Sequence, residues 1–221
     1  MSGPRREPRT PAGRLRIKLC GVRRVEDALL CAEAGADEIG VVLATQSRRC
    51  IPLALALEIR AALPPQVALV GVFLDPTETE LNAATAAVSF SALQLHGSLP
   101  PRSALQTLQL PLYRALQIKD ADSLHALAGL EGFARLLLDG PRGGGAGSSF
   151  DWRLARQARD RFAESPIFLA GGLAPENVAE AIASARPDGV DVASGIEGAD
   201  GFKDPRRVRA FIAAARGAGS Q

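Results

Sequence analysis

A cysteine, a histidine and two aspartates stand at or near the ends of short apolar runs, where their side chains could move protons. Cys20 follows LRIKL, His96 follows ALQL, Asp139 follows FARLLL, and Asp191 lies within GVDVA. Thiol, imidazole and carboxyl groups are the usual proton donors and acceptors of enzymes. If these runs are strands that end at one place, their side chains form a candidate acid–base site.

Alternation along the runs predicts which side chains face one another. In the first run the leucine and isoleucine side chains share one face, which leaves Lys18 and Cys20 on the other. A cation beside a thiol lowers the thiol pKa, so we expect Lys18 to favour the Cys20 thiolate. The residues predicted in this way to turn inward are Lys18, Cys20, Gln94, His96, Asp139 and Asp191.

Each of these residues also has a structural interpretation. Cysteine is among the most buried residue types, which is enough to explain Cys31 in an amphipathic segment. Asp139 could cap a turn, and His96 could bond only to a backbone group. The chain has three cysteines without a CxxC pair and two distant histidines, so we expect no metal site.

Anion-binding features accompany the candidate acid–base groups. Glycine-rich stretches follow the last three apolar runs, at Gly143–Ser149, Gly171–Gly172 and Ser194–Gly195. Glycine lets backbone N–H groups approach a ligand closely, and a helix behind the loop favours an anion. One such loop is usually only a turn, but three in succession favour phosphate. Arg48 and Arg49 are either a solvated pair or include an anion-binding side chain.

The elements that must position these residues are eight apolar runs alternating with amphipathic segments. The runs are Leu15–Leu19, Glu38–Leu43, Val67–Leu74, Ala92–Leu95, Leu112–Ile118, Phe133–Leu138, Ile167–Ala170 and Gly189–Ala193. Eight strands, each followed by a helix, close a (β/α)8 TIM barrel, whose active sites lie at the carboxyl ends of the strands. An open doubly wound sheet is the alternative, but no GxGxxG follows the first run.

Composition limits the partners and the compartment. The 221 residues include 26 basic and 24 acidic side chains, a balance that favours neither nucleic acid nor a membrane as partner. No apolar run is long enough to cross a bilayer or to form a signal peptide, and the odd cysteine count favours a reducing cytoplasm. We expect a disordered lead at 1–14, one barrel domain at 15–216 and a tail at 217–221.

Several stretches are distinctive in their order and spacing. They are KLCGVRRVEDA, AGADEIGVV, VGVFLDP, LQLHG, LLLDG with the following GGGAGSSFDW, LAGGLAPENVAEAI and GVDVASGIEGADGFKD. Together they resemble the phosphoribosylanthranilate isomerase family from about 16 to 216. The resemblance implies a barrel of the ribulose-phosphate-binding type. It also implies conversion of N-(5-phosphoribosyl)anthranilate to 1-(o-carboxyphenylamino)-1-deoxyribulose 5-phosphate, an Amadori rearrangement of tryptophan biosynthesis.

The resemblance also implies residue roles. The family's general base falls on Cys20, its general acid on Asp139, and the arginine that binds the anthranilate carboxylate on Arg49. Substrate binding is assigned to Gln94, His96 and Asp191. The phosphate-binding backbone falls on Gly144, Gly145, Ala146, Gly147, Gly171, Gly172, Ser194 and Gly195. No cofactor is implied, because the substrate's own iminium serves as the electron sink.

The chain departs from the family pattern in the loop LATQSRRCIP, where Cys50 occupies the position of a tyrosine. Two alternatives remain. One is a phosphoribosyl isomerase of histidine synthesis, or a dual-substrate form, although these generally carry an aspartate where this chain has Cys20. The other is a barrel scaffold that has lost its activity, which the retained acid, base and glycine loops argue against.

Overall fold

Eight parallel strands close into a barrel in the computed structural model, which describes residues 14–130, 132–140, 151–162 and 165–219. The strands are β1 (Arg16–Cys20), β2 (Glu38–Val42), β3 (Ala68–Leu74), β4 (Ala92–His96), β5 (Leu112–Gln117), β6 (Arg135–Asp139), β7 (Ile167–Ala170) and β8 (Gly189–Val192). Each strand pairs with the next in the chain, and β8 pairs with β1. The predicted (β/α)8 barrel is therefore confirmed, with every predicted run forming a strand.

Helices surround the barrel on its outer face. They are α1 (Val25–Glu33), α2 (Leu53–Ala62), α3 (Glu78–Ala87), α4 (Arg102–Thr107), α5 (Trp152–Arg161), α6 (Val178–Ala185) and α7 (Pro205–Gly219). The last helix continues to Gly219, past the predicted domain boundary at 216. The predicted lead at 1–14 lies outside the described residues apart from Arg14.

One expected α-helix is missing between β5 and β6, where the chain forms a 3-10 helix at Asp122–Leu127 instead. Leu124 and Leu127 are the buried residues of this segment, and a helix with three residues per turn puts positions i and i+3 on one face. Gly129, with φ of 86°, then breaks the helix. The prediction of an α-helix after every strand was wrong for this segment, where the burial of Leu124 and Leu127 fits a three-residue repeat.

The alternation of the strands separates an apolar outer face from an interior that holds both polar side chains and small apolar clusters. Ile17 and Leu19 of β1 are fully buried against the helix layer, whereas Lys18 between them is buried inside the barrel. Gln94 and Asp191 are buried in the interior in the same way. The predicted inward orientation of these polar residues is confirmed. The helices pack on the outer face of the strands, so that face carries the apolar side chains and the polar ones point inward.

The amino end of the barrel is closed by a charged cluster that the sequence analysis did not predict. Arg135 Nη1 lies 2.8 Å from both carboxylate oxygens of Glu38, and both side chains are almost completely buried. Arg16 Nη2 adds a second ion pair to Glu38 at 3.0 Å. The Arg135 guanidinium also stacks on Tyr113 and Phe168, with its Cζ atom 4.0 and 3.8 Å from their ring centroids. This packing fixes the barrel floor, directly below the layer of side chains that contains Lys18.

Replacing Arg135 by methionine should lower the free energy of unfolding by about 3 kcal/mol or more, because it removes the more deeply buried of the two arginines that pair with Glu38. Urea unfolding of the two proteins, followed by circular dichroism, measures the difference. Combining Arg135→Met with Glu38→Gln should recover part of the loss, since the unpaired charge is then removed. Equal stability of Arg135→Met and the parent would show that the cluster contributes little.

Candidate active site

Cys20 ends β1 next to a buried ion pair. Lys18 Nζ donates to both carboxylate oxygens of Asp191 at 3.0 Å, and the two residues are register partners on the adjacent strands β1 and β8. Gly40 on β2 leaves room for this group, since a Cβ atom there would lie 2.7 Å from Cys20 Sγ and 3.1 Å from Lys18 Nζ. A cation, a carboxylate and a thiol therefore meet at one side of the barrel mouth.

The expectation that Lys18 lowers the pKa of Cys20 is wrong in its net effect. Burial raises the pKa of the Cys20 thiol above its ordinary value, and the attraction of Lys18 does not offset that rise. Asp191 balances the charge of Lys18 and raises the thiol pKa further. The sequence could not reveal this, because the counterion comes from β8, at the other end of the chain. At neutral pH the thiol of the unliganded protein is protonated.

Asp139 ends β6, and its surroundings are shaped by glycine. Its backbone carbonyl accepts a hydrogen bond from the Ile118 amide at 3.0 Å. Gly171, with φ of 85°, passes so close that a Cβ atom there would lie 2.7 Å from Asp139 Oδ1. In the closed barrel β6 lies three strands from β1, by way of β7 and β8. Asp139 and Cys20 thus occupy well-separated sides of the same mouth, with space for a ligand between them.

Gln94 and His96 contact each other on β4. Gln94 Nε2 lies 2.8 Å from His96 Nε2, and the Gln94 side chain is almost completely buried. Gln94 Oε1 is a buried acceptor without a hydrogen-bond partner among the described residues. A buried polar atom left unpaired costs about 1–3 kcal/mol, so a donor from a ligand would be stabilising at this atom.

The loops after β7 and β8 touch one another. Gly171 and Gly172 both have positive φ, at 85° and 66°, and Asn177 Nδ2 donates to the Gly172 carbonyl at 3.0 Å. A Cβ atom on Gly195 would lie 1.9 Å from the carbonyl oxygen of Leu173, so only glycine allows this approach. The predicted backbone groups of these two loops are therefore brought together. The other four predicted phosphate residues, Gly144, Gly145, Ala146 and Gly147, lie outside the described residues.

Arg49 is held by a tight turn after β2. The Cys50 amide donates to the Ser47 carbonyl at 3.0 Å, and the Arg49 side chain lies over Gly21, which has φ of 72°. Arg49 donates from Nε and Nη2 to the two carboxylate oxygens of Glu197, at 2.5 and 2.9 Å. The Arg48 side chain is 75% exposed, against 20% for Arg49. Of the two arginines, Arg49 is the one built into the site.

Glu197 and Lys203 were not singled out in the sequence. Lys203 Nζ lies 3.4 Å from Glu197 Oε1 and donates to the Ala193 carbonyl at 3.0 Å. Both residues fall in the stretch GVDVASGIEGADGFKD, directly after the glycine loop of β8. No local signal distinguished them, because Asp200 and Asp204 lie in the same stretch and are closer to Lys203 in the sequence than Glu197 is.

The described residues contain neither a membrane-spanning helix nor a cluster of metal ligands. No helix there has both the length and the apolar character needed to cross a bilayer. No group of three or more histidine, cysteine, aspartate or glutamate side chains in the same residues could hold a metal ion.

Comparison with known proteins gives a consistent result. The family described as N-(5′-phosphoribosyl)anthranilate (PRA) isomerase matches residues 17–214. The N-(5′-phosphoribosyl)anthranilate isomerase of Pseudomonas fluorescens is 41% identical over 208 residues, which are 91% of this chain and 96% of the relative.

Solved structures extend the similarity to three dimensions. The phosphoribosyl anthranilate isomerase of Thermotoga maritima superimposes with a TM-score of 0.84 at 36% identity, covering 92% of this chain and 100% of that one. A phosphoribosyl anthranilate isomerase in complex with reduced 1-(o-carboxyphenylamino)-1-deoxyribulose 5-phosphate gives a TM-score of 0.82 at 35% identity, over the same shares of the two chains.

Proposed function

Because the chain belongs to the N-(5′-phosphoribosyl)anthranilate isomerase family, we propose that Cys20 and Asp139 are the base and the acid of its reaction. The chain is an isomerase of tryptophan biosynthesis, which converts N-(5-phosphoribosyl)anthranilate to 1-(o-carboxyphenylamino)-1-deoxyribulose 5-phosphate. The observation that carries the proposal is the position of a thiol and a carboxyl group at separate strand ends around one mouth. The free cysteines favour the cytoplasm as its compartment.

The first step opens the ribose ring. Asp139 donates a proton to the ring oxygen, the bond from C1′ to that oxygen breaks, and the nitrogen lone pair forms a C1′–N iminium. The carboxyl group must carry a proton before this step and becomes a carboxylate after it. No oxidant or cofactor takes part, because the electrons move only within the substrate.

The second step transfers hydrogen at C2′. Cys20 removes the C2′ proton, and the electron pair of that bond moves toward the iminium to give an enolamine. The enolamine then takes up a proton at C1′ and loses the proton of its C2′ hydroxyl, which gives the C2′ ketone. Burial raises the pKa of the Cys20 thiol, so the base needs positive charge nearby to ionise. The positive charge of the iminium favours loss of the thiol proton to solvent, so that Cys20 is a thiolate when it takes the C2′ proton.

The rest of the site suits an extended substrate with an anionic group at each end, a phosphate and a carboxylate. We assign the phosphate to the glycine backbone of the loops after β6, β7 and β8, and the anthranilate carboxylate to Arg49. The unpaired Gln94 Oε1, beside His96, suits a ribose hydroxyl, which would donate to it. Asp191 completes the set through its ion pair with Lys18, next to the base.

Fluorescence tests the activity directly. Purified protein mixed with freshly prepared N-(5-phosphoribosyl)anthranilate should remove the anthranilate-type fluorescence at a rate proportional to enzyme concentration. No loss of fluorescence above the spontaneous rate would exclude the activity and favour a scaffold. Turnover of the corresponding aminoaldose of histidine synthesis, measured in parallel, would reveal a dual-substrate enzyme. Cys20 in place of aspartate predicts that this second substrate is not converted.

Arg49→Ala should raise KM roughly ten- to hundredfold, because a bidentate, charge-assisted pair with the substrate carboxylate is lost. Arg48→Ala should change KM by no more than about twofold, since its exposed ion pair is screened by solvent. Steady-state kinetics on the two variants measure the contrast. Equal and small effects of both changes would mean that neither arginine binds the carboxylate.

A further inference from the structure

We propose that Glu197 is a positioning residue, which fixes the Arg49 guanidinium so that its outer edge meets the substrate carboxylate. The inference rests on the proposed function, since it assigns a partner to the arginine that binds anthranilate. It adds a residue that the reaction itself does not require, on a segment that follows β8. The evidence is the geometry of the Arg49–Glu197 pair and the contacts that hold Glu197 in place.

The pair uses only one edge of the guanidinium. Glu197 accepts from Nε and Nη2 of Arg49, the two nitrogens along the side of the group. A guanidinium carries five N–H donors, and a carboxylate on the side edge leaves the N–H groups of the end edge, on Nη1 and Nη2. The end edge has the same fork geometry and can bind a second carboxylate in a bidentate manner. Arg49 can therefore hold Glu197 and a ligand carboxylate at the same time.

Glu197 is itself firmly placed. Its side chain is only 6% exposed, and its backbone forms an antiparallel bridge with Lys203. The hairpin between these residues is closed by a hydrogen bond from the Gly198 amide to the Phe202 carbonyl at 2.9 Å. Phe202 is covered in turn by the Arg24 guanidinium, whose Cζ atom lies 3.8 Å from its ring centroid. The carboxylate is thus a fixed point against which Arg49 can be aligned.

The charges around Glu197 allow it to support Arg49 without competing with the substrate carboxylate for the guanidinium. Glu197 contacts both Arg49 and the buried Lys203, so two cations share one carboxylate, with exposed Arg48 as a third contact at 3.4 Å. Burial alone would raise the pKa of Glu197, but Arg49 and Lys203 outweigh it and lower this pKa, so Glu197 stays ionised. The cluster keeps a positive excess at the place where a carboxylate is expected. A second carboxylate can join it without displacing Glu197.

Arg48 shows how little order a single long contact with Glu197 provides. It is the neighbouring residue in the same loop and carries the same side chain, but its one contact with Glu197 is 3.4 Å long and it remains largely in solvent. An arginine that must be ordered when the ligand binds contributes less affinity than one that is already ordered. The expected consequence of removing the Glu197 carboxylate is weaker recognition of the substrate carboxylate, with the chemical steps at Cys20 and Asp139 left in place.

The test uses two matched ligands and three variants. The ligands are reduced 1-(o-carboxyphenylamino)-1-deoxyribulose 5-phosphate and its phenylamino counterpart, which lacks the carboxyl group. Glu197→Gln should weaken binding of the first by roughly tenfold, in keeping with the loss of a charged partner, and change the second by less than about twofold. KM should rise while kcat stays within about threefold of the parent. In Arg49→Ala, adding Glu197→Gln should cause little further loss, since the two residues act as one unit.

Several results would overturn the inference. Tighter binding of the carboxylated ligand by Glu197→Gln would mean that Glu197 competes with substrate, and equal weakening of both ligands would mean a general structural role. Additive effects in the double variant would also contradict it. Should Glu197→Gln not fold, Glu197→Asp keeps the charge with a shorter reach and should show the same selectivity to a smaller degree. Failure of the parent protein to isomerise phosphoribosylanthranilate would reject the proposed function instead, whereas an active parent with an unaffected Glu197→Gln rejects this inference alone.

Discussion

Cys20→Ala should reduce turnover of N-(5-phosphoribosyl)anthranilate by at least ~10²-fold, the lower range of what a positioned acid–base group contributes. Alanine cannot accept the C2′ proton, and the other thiol near the mouth, that of Cys50 in the loop after β2, donates to the Ile51 carbonyl at 3.8 Å. The substitution removes one sulfur atom from a residue at the edge of the interior, so the barrel should remain folded. Initial rates at saturating substrate, with circular dichroism as the measure of folding, test the assignment.

A second cysteine provides the matched control. Cys31 is fully buried in α1, against the helix-facing side of the strands, and burial raises its pKa to about 12. Cys31→Ala should therefore lose some stability but keep turnover within about twofold, as expected for a core residue with no part in the chemistry. If Cys20→Ala were as active as Cys31→Ala, the base would have to be sought elsewhere.

The inward-facing part of the site could be predicted from the sequence, because strand alternation is a local rule. Lys18 and Cys20 are on one face of β1 whatever the neighbouring strands are, and the same holds for Gln94 and His96 on β4. The apolar residues between them must pack on the helices outside the barrel, so the polar side chains must point into the barrel interior. Closure of the barrel then brings all such strand ends to the same mouth.

Ion pairs between distant parts of the chain could not be predicted in the same way. Asp191 lies far from Lys18 in the sequence, and their contact depends on β8 closing the barrel next to β1. This pairing reverses the expected effect of Lys18 on the thiol, because a balanced cation no longer outweighs the burial of the sulfur. Arg49 and Glu197 meet only because the loops after β2 and β8 lie on the same side of the mouth.

The charges of the barrel form two groups at different depths. At the floor, Glu38 and Arg135 are buried together with aromatic rings, and the charge of Glu38 also raises the pKa values of Lys18 and Asp191 above it. At the mouth, Lys18 and Arg49 each have a carboxylate partner and each stands beside a predicted reacting or binding position. A cation held in this way is ordered before the substrate arrives. The side chain therefore loses its conformational entropy when the protein folds, and this loss does not weaken substrate binding.

Asp139→Asn should nearly abolish turnover, by ~10²-fold or more, while the reduced product analogue binds within a few fold of its affinity for the parent protein. The amide has almost the shape of the carboxyl group but no acidic proton, so the ring of the substrate cannot be opened. In the proposed site, binding depends on the phosphate loops and on Arg49, which the change leaves intact. Single-turnover rates together with equilibrium binding of the analogue separate the two effects.

Asp75 offers a control because it lies at the carboxyl end of β3, much as Asp139 lies at the carboxyl end of β6. It directly follows the last residue of β3, but its Oδ1 atom accepts a hydrogen bond from the Ser98 amide at 2.6 Å and so serves to cap a loop. Its φ of 50° is one that asparagine adopts readily, so Asp75→Asn should fold and turn over normally. If Asp139 is the acid, Asp139→Asn should nearly abolish turnover, whereas Asp75→Asn should leave turnover unchanged. Normal turnover in both variants would make Asp139 a loop cap as well, and ring opening would then need a different proton donor.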